Sequence, residues 1–131
     1  MKKLSPILWT KDLSATILFY EGVLGFRGKS MFPDFVSLTR EHIEIMFIVP
    51  QDEQEECSNP NDKVDFFPRP VLTGSIFIVT DQVDNLWEKV KDKAIIKTSI
   101  DNRPYFMRDF SILDNNGYEL VFGEPIGSPA S

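Results

Sequence analysis

Side chains suited to nucleophilic or proton-transfer chemistry are scarce in this chain of 131 residues, which holds one histidine, His42, and one cysteine, Cys57. A Ser-His-Asp set needs a histidine placed beside a serine and an acid. His42 instead ends the polar run Thr39-Arg40-Glu41-His42, which reads as an exposed turn. Cys57 sits in an acidic stretch with no basic neighbour to stabilise a thiolate. A lone cysteine forms neither an internal disulfide nor a thiolate metal cluster, which fits a reducing compartment and sets the expectation of a cytoplasmic protein. No catalytic residue is assigned on these grounds. What remains is chemistry of recognition, carried by aromatic residues and carboxylates that share one face of several short strands.

Four apolar runs have strand character: Leu4 to Thr10, Ile43 to Val49, Ser75 to Val79 and Tyr118 to Phe122. The strand period of two groups Ser5, Ile7 and Trp9; Glu44, Met46 and Ile48; Ser75, Phe77 and Val79; and Glu119 and Val121 on one face. The other face, with Leu8, Ile43, Ile45, Phe47, Ile76, Ile78, Leu120 and Phe122, is almost wholly apolar. It is expected to form the core beneath two helices, through Ile17, Tyr20, Leu86 and Val90.

The helices follow from spacing and capping. Leu13, Ile17, Tyr20 and Leu24 recur at helical intervals after Asp12, with Gly25 as the stop, and Val83, Leu86, Trp87 and Val90 recur after Asp81. Asp12 and Asp81 are expected in equivalent turns. Each helix is followed by strand candidates: Phe35 to Leu38 and Ile43 to Val49 in the first half, Arg108 to Leu113 and Tyr118 to Phe122 in the second. Asp114-Asn115-Asn116-Gly117 joins the last two as a hairpin loop. Ser30 to Asp34 and Ala94 to Thr98 supply a further strand in each half. The reading is an α+β fold of two βαβββ modules, about 4–50 and 72–124, in one domain spanning 1–131 with an acidic linker, 51–71, between them. Neither module has the size to bury a sufficient core alone.

Twenty acids against fourteen Lys and Arg give a net charge of -6, which leaves no phosphate-neutralising surplus for nucleic acid. Gln51 to Asp65 alone carries six acids against Lys63. It is read as a solvated linker, or as an electrostatic funnel for a cationic ligand. No apolar run approaches the ~20 residues that cross a bilayer. Lys11 and Asp12 interrupt the first apolar segment before it reaches the length of a signal peptide.

Two blocks carry a family resemblance. Lys11-Asp12-Leu13-Ser14-Ala15-Thr16 is followed by Phe19-Tyr20 and Val23-Leu24-Gly25-Phe26, and Phe106-Met107-Arg108-Asp109-Phe110-Ser111-Ile112 is followed by Asp114-Asn115-Asn116-Gly117-Tyr118-Glu119-Leu120. Over roughly Leu4 to Glu124 the chain resembles the vicinal oxygen chelate superfamily of glyoxalase I, extradiol dioxygenases, and fosfomycin- and bleomycin-resistance proteins. Asn115 stands where the family usually has proline. The resemblance implies a curved mixed sheet cup with the helices outside, paired in a homodimer, and exposed aromatic loops give a second reason for pairing.

The family's enzymes hold a divalent metal that acts as a Lewis acid. Carried over, the four ligand positions fall on Ser5, Glu44, Ser75 and Val121, of which Glu44 alone is a strong ligand. The resemblance thus implies no metal and no other cofactor, closest to the bleomycin-resistance branch: a binding protein that sequesters an aromatic or cationic organic molecule. The alternative is an enzyme of the same superfamily, a lyase, isomerase or dioxygenase type acting on a small substrate. In the family the mixed strand face lines a cleft, so the candidate ligand-binding residues are Trp9, Glu44, Met46, Phe77, Tyr105, Arg108 and Glu119. Trp9 and Phe77 equally suit a second, filled core. Phe66-Phe67-Pro68-Arg69-Pro70 and Tyr105-Phe106-Met107 suit either a cleft rim or a dimer interface. Glu44 must reach water, pair with a cation such as Arg108, or receive the ligand's positive group. The expected partners are a small molecule and a second copy of the chain, with no nucleic acid and no membrane.

Overall fold

The same order of elements occurs twice in a computed structural model, which describes residues 1–50 and 72–127. The expectations placed on the acidic linker, Cys57 and the Phe66–Pro70 run lie outside the described residues. The first module runs β1 (Ile7–Trp9), α1 (Leu13–Gly22), β2 (Arg27–Phe32), β3 (Phe35–Arg40) and β4 (Ile43–Ile48). The second runs β5 (Ile76–Val79), α2 (Val83–Val90), β6 (Ile95–Asn102), β7 (Met107–Leu113) and β8 (Glu119–Pro125). The two compact units divide between Val71 and Leu72. Their sheets have the orders β1-β4-β3-β2 and β5-β8-β7-β6. In each, the first strand lies parallel to the last and the other pairings are antiparallel, so both modules are βαβββ with mixed sheets.

Alternation along the strands puts the core where the apolar face predicts it. In module one Val36, Leu38, Ile45 and Phe47 are buried beneath α1, and Tyr20 packs edge-on against Phe47 and Phe26 at ring distances of 5.3 and 5.5 Å. In module two Phe110, Ile112, Leu120 and Phe122 are buried with Val83, Leu86 and Val90 of α2, and Trp87 lies 5.2 Å from Phe110.

The helix starts differ from expectation in an informative way. Asp12 caps α1, its carboxylate accepting from the Ala15 N–H at 3.0 Å. In module two the residue at the cap is Gln82, and Asp81 lies one position too early. The register is fixed by threonines: Thr10 Oγ accepts from the Asp12 N–H at 3.2 Å and Thr80 Oγ accepts from the Gln82 N–H at 3.1 Å. Gln82 makes no side-chain cap bond, and Glu124 of β8 accepts from the Val83 N–H instead. Tertiary structure thus supplies the donor's partner that the local sequence lacks. Thr16, unmarked by the apolar stripe, is buried on α1 because its hydroxyl bonds the Asp12 carbonyl and Thr10 Oγ, each at 2.9 Å.

Chain reversals follow the residues expected to make them. Gly25 adopts a left-handed φ of 74° and returns the Phe26 N–H to the Tyr20 carbonyl at 2.9 Å. Asp114 Oδ1 accepts from the N–H groups of Asn116 and Tyr118, and Gly117 closes the hairpin at φ 94°. β2 begins at Arg27 and ends at Phe32, three residues earlier at its start than the expected Ser30. Arg27 to Ser30 are exposed at the sheet edge, so no apolar alternation marks them. Among the described residues no helix is long and apolar enough to cross a membrane.

Candidate functional site

On the face of sheet one away from α1, β3 and β4 bring Ser37 opposite Met46 and Thr39 opposite Glu44, and β1 brings Ile7 opposite Met46. Glu44 is the chemical centre of this face. Its Oε1 accepts from Ser5 Oγ at 2.7 Å and pairs with Lys3 Nζ at 2.6 Å, while its Oε2 accepts from Ser37 Oγ at 2.5 Å. The carboxylate is mostly covered, whereas the Lys3 side chain is largely in solvent. Three donors, the Lys3 ammonium first and then the hydroxyls of Ser37 and Ser5, hold the Glu44 carboxyl at about 2, down from 4.5. The cation is Lys3 and not Arg108. Trp9 stands on the same face, 39% exposed, and Met46 is half-buried.

The depressed carboxyl has a pH signature. Because the fold favours the charged form, these contacts stabilise fully above the ordinary value of 4.5 and are lost as pH falls through about 2. The stability difference between the wild type and Glu44→Gln is therefore expected to hold steady above pH 5 and shrink towards pH 2. Its full size is on the order of 1–2 kcal/mol, discounted because the Lys3 end is solvent-screened. Urea denaturation at a series of pH values measures it; a difference independent of pH would show that the carboxylate is not held this way.

Sheet two presents Phe77 and Val79 of β5, Glu119, Val121 and Gly123 of β8, and Met107, Asp109, Ser111 and Leu113 of β7 on the corresponding face, with Ser75 just before β5. Phe77 is 46% exposed, and its ring lies over Gly123, where a Cβ would come within 2.6 Å of Phe77 Cζ and 3.1 Å of Met107 Cε. A residue without a side chain is what lets the ring lie against the strand. Tyr105 belongs to the loop before β7, and its hydroxyl donates to Asp109 Oδ2 at 2.6 Å. Asp109 is buried and also accepts from Arg103 Nε at 2.7 Å. This bonding to the ionised carboxylate raises both the Tyr105 hydroxyl and the Arg103 guanidinium above their usual values. Glu119 Oε1 pairs with Lys97 Nζ at 3.1 Å. Arg108 lies on the other face: it is opposite Glu124, and its guanidinium reaches Asp84 of α2 and Asn102, each at 3.0 Å. The structure therefore groups Trp9, Glu44 and Met46 in module one, and Phe77, Tyr105 and Glu119 in module two, and sets Arg108 apart from both.

Sequence reasoning missed Lys3, Ser37, Gly123, Arg103, Asp109 and Ser111. Ser37, Asp109 and Ser111 do carry a signal, a polar residue at alternate positions of an otherwise apolar strand. Lys3 carries none, because a lysine before a strand is ordinary.

Aligning the modules at Thr10 and Thr80 makes Ser5 the counterpart of Ser75 and Ile7 that of Phe77. Ile7 is opposite Met46 and Phe77 opposite Val121, so Met46 matches Val121 and Glu44 matches Glu119. Ser37 faces Met46 and Ser111 faces Val121, so these serines match as well. The four positions the resemblance implies for a metal hold Ser5, Ser75, Val121 and Glu44. Replacing Val121 by the repeat counterpart of Glu44 brings in Glu119, which Lys97 already pairs. Either set has two serines, and its carboxylates are engaged, Glu44 by an ammonium and two hydroxyls. Among the described residues no group of three or more His, Cys, Asp or Glu is placed to hold a metal ion. The donor set does not fit a resident divalent ion.

The geometry has solved counterparts. A glyoxalase/bleomycin resistance protein/dioxygenase from Alicyclobacillus acidocaldarius is 16% identical, with 97% of this chain and 96% of that one covered at a TM-score of 0.72. A glyoxalase/bleomycin resistance protein/dioxygenase from Nocardioides is also 16% identical, covering 100% of this chain and 89% of that one at a TM-score of 0.70. Lactoylglutathione lyase from Agrobacterium tumefaciens is 19% identical over 95% and 94%, at a TM-score of 0.65. At such identities the likeness is one of fold. No curated relative matches the chain. The sequence itself matches the Glyoxalase/Bleomycin resistance protein/Dioxygenase superfamily over residues 4–122, nearly its whole length. The chain belongs to that superfamily.

Proposed function

We propose that this chain is a metal-independent binding protein, similar to the bleomycin-resistance branch of its superfamily, that takes a small organic cation with a flat apolar part. The observation that carries the reading is Glu44: a carboxylate kept ionised by the Lys3 ammonium and by two serine hydroxyls, on the sheet face away from the helix. Charge-assisted hydrogen bonds of this kind are about twice as strong as neutral ones. Trp9 in module one and Phe77 in module two, each large and partly exposed, are each a flat surface on which an aromatic or cationic group gains ~0.5–1.5 kcal/mol beyond area burial. Tyr105 and Glu119 belong to the same ligand-facing set in module two. The two modules act as one domain, in the cytoplasm, and the protein works as a homodimer.

A thermal-shift comparison after chelation tests the metal-independent reading. Benzylammonium is expected to raise Tm, and manganese, iron, nickel and zinc to leave it unchanged. A stoichiometric metal in protein purified without chelator, with binding lost on its removal, would overturn the reading in favour of a metal enzyme. Light scattering tests the dimer, and the mass of one chain at every concentration would refute it.

A further inference from the structure

We propose that Glu119 and Ser111 form a second ammonium site, on module two, that is the register counterpart of Glu44 and Ser37 and is held at rest by Lys97. The inference rests on the proposed function and deepens it, giving Glu119 of the module-two ligand-facing set a cation site of its own. Three observations carry it.

The first is equivalence. Parallel pairing of β1 with β4 and of β5 with β8 puts Glu44 and Glu119 at the same position of the repeat, each two residues before the one facing Ile7 or Phe77. The second is the occupant. Each carboxylate is mostly covered, and each pairs with a lysine of its own module whose side chain is more than half exposed, Lys3 at 2.6 Å and Lys97 at 3.1 Å. The chain thus places a primary ammonium on both positions. An exposed lysine pair of this kind contributes little, so an incoming ammonium displaces it at little cost.

The third observation is Ser111. Its residue is 2% exposed, and its hydroxyl is the one buried side-chain polar atom among the described residues without a hydrogen-bond partner. Its counterpart Ser37 donates to Glu44. A buried hydroxyl left unpaired is costly, because it has given up its water and gained no partner. When a ligand ammonium draws Glu119 away from Lys97, the carboxylate can accept from Ser111 as Glu44 does from Ser37. Phe77, opposite Val121 and with its ring against Gly123, stands next to this position on the same face, which favours an aromatic ammonium.

The test is an amide chemical-shift titration of the whole chain with benzylammonium, with benzyl alcohol as the uncharged control. Saturable shifts are expected at Glu119–Val121 and at Ser111 with the cation only. They should vanish in Glu119→Gln, persist in Glu44→Gln, and tighten at least threefold in Lys97→Met, which removes the competing ammonium. Saturable shifts at Glu44–Ile48 without any at Glu119–Val121, in wild type and Lys97→Met alike, would overturn the second site and leave the proposed function standing. Shifts at neither carboxylate would overturn both. Should Glu119→Gln fail to fold, Lys97→Met decides alone, because loss of a largely exposed lysine leaves the core untouched.

Discussion

Phe47→Ala is expected to cost about 3–5 kcal/mol of stability, and Trp9→Ala only about 1–2 kcal/mol. Both are aromatic residues on neighbouring strands of one sheet, and both belong to apolar runs in the sequence. Phe47 is 0% exposed on the helix-covered face and packs edge-on against Tyr20 at 5.3 Å. Its removal leaves a cavity that a close-packed core closes only in part. Trp9 is 39% exposed on the opposite face, at the end of a three-residue strand, so truncation gives up part of its burial and leaves no enclosed void. Urea denaturation of the two variants and the wild type reads the difference as a shift in midpoint at constant slope. Equal costs would mean that Trp9 fills a second core, and the ligand face would lose its main aromatic residue.

Glu44→Gln is expected to weaken binding of benzylammonium about 10- to 100-fold while leaving a folded protein. A hydrogen bond to a charged partner contributes about 1.5–3 kcal/mol, and each 1.4 kcal/mol is tenfold in affinity. Glutamine keeps the shape, its oxygen accepting from one of Ser5 and Ser37 and its NH2 donating to the hydroxyl of the other, so the lost affinity reports chiefly on charge. The same substitution should leave the weak affinity for benzyl alcohol unchanged, since that ligand presents no positive group. Because Lys3 competes for the carboxylate, Lys3→Ala is expected to act in the opposite sense on the cation. Isothermal titration of both variants measures this pair of effects. A loss in Glu44→Gln that is equal for the cation and the alcohol would assign Glu44 a structural role only.

The fold was legible because its signals are local or strictly periodic. Alternation assigned Ile45, Phe47, Ile78, Leu120 and Phe122 to the buried face, and the hairpin chemistry of Asp114 and Gly117 is written in consecutive residues. What stayed hidden depends on partners distant in the chain. Asp81 looks like a cap, but Thr80 holds the Gln82 N–H and makes Gln82 the cap residue, and Glu124, 41 residues after Val83, takes the Val83 N–H. Arg108 looks like a cation for the ligand face. Alternation from Phe110 along the expected strand Arg108 to Leu113 already puts Arg108 on the helix side, where Asp84, 24 residues earlier, pairs with it. Glu44 was marked by strand period alone, whereas its partner Lys3, 41 residues away and outside any strand, carries no pattern that links the two.

The most direct measurement is isothermal titration of chelator-treated wild-type protein with benzylammonium and, separately, with benzyl alcohol at pH 7. Binding of the cation is expected to be saturable and at least tenfold tighter than that of the alcohol, and to weaken as salt screens the carboxylate. Equal affinity for the two, or cation binding that appears only when a divalent metal is restored, would contradict a metal-independent site built on Glu44.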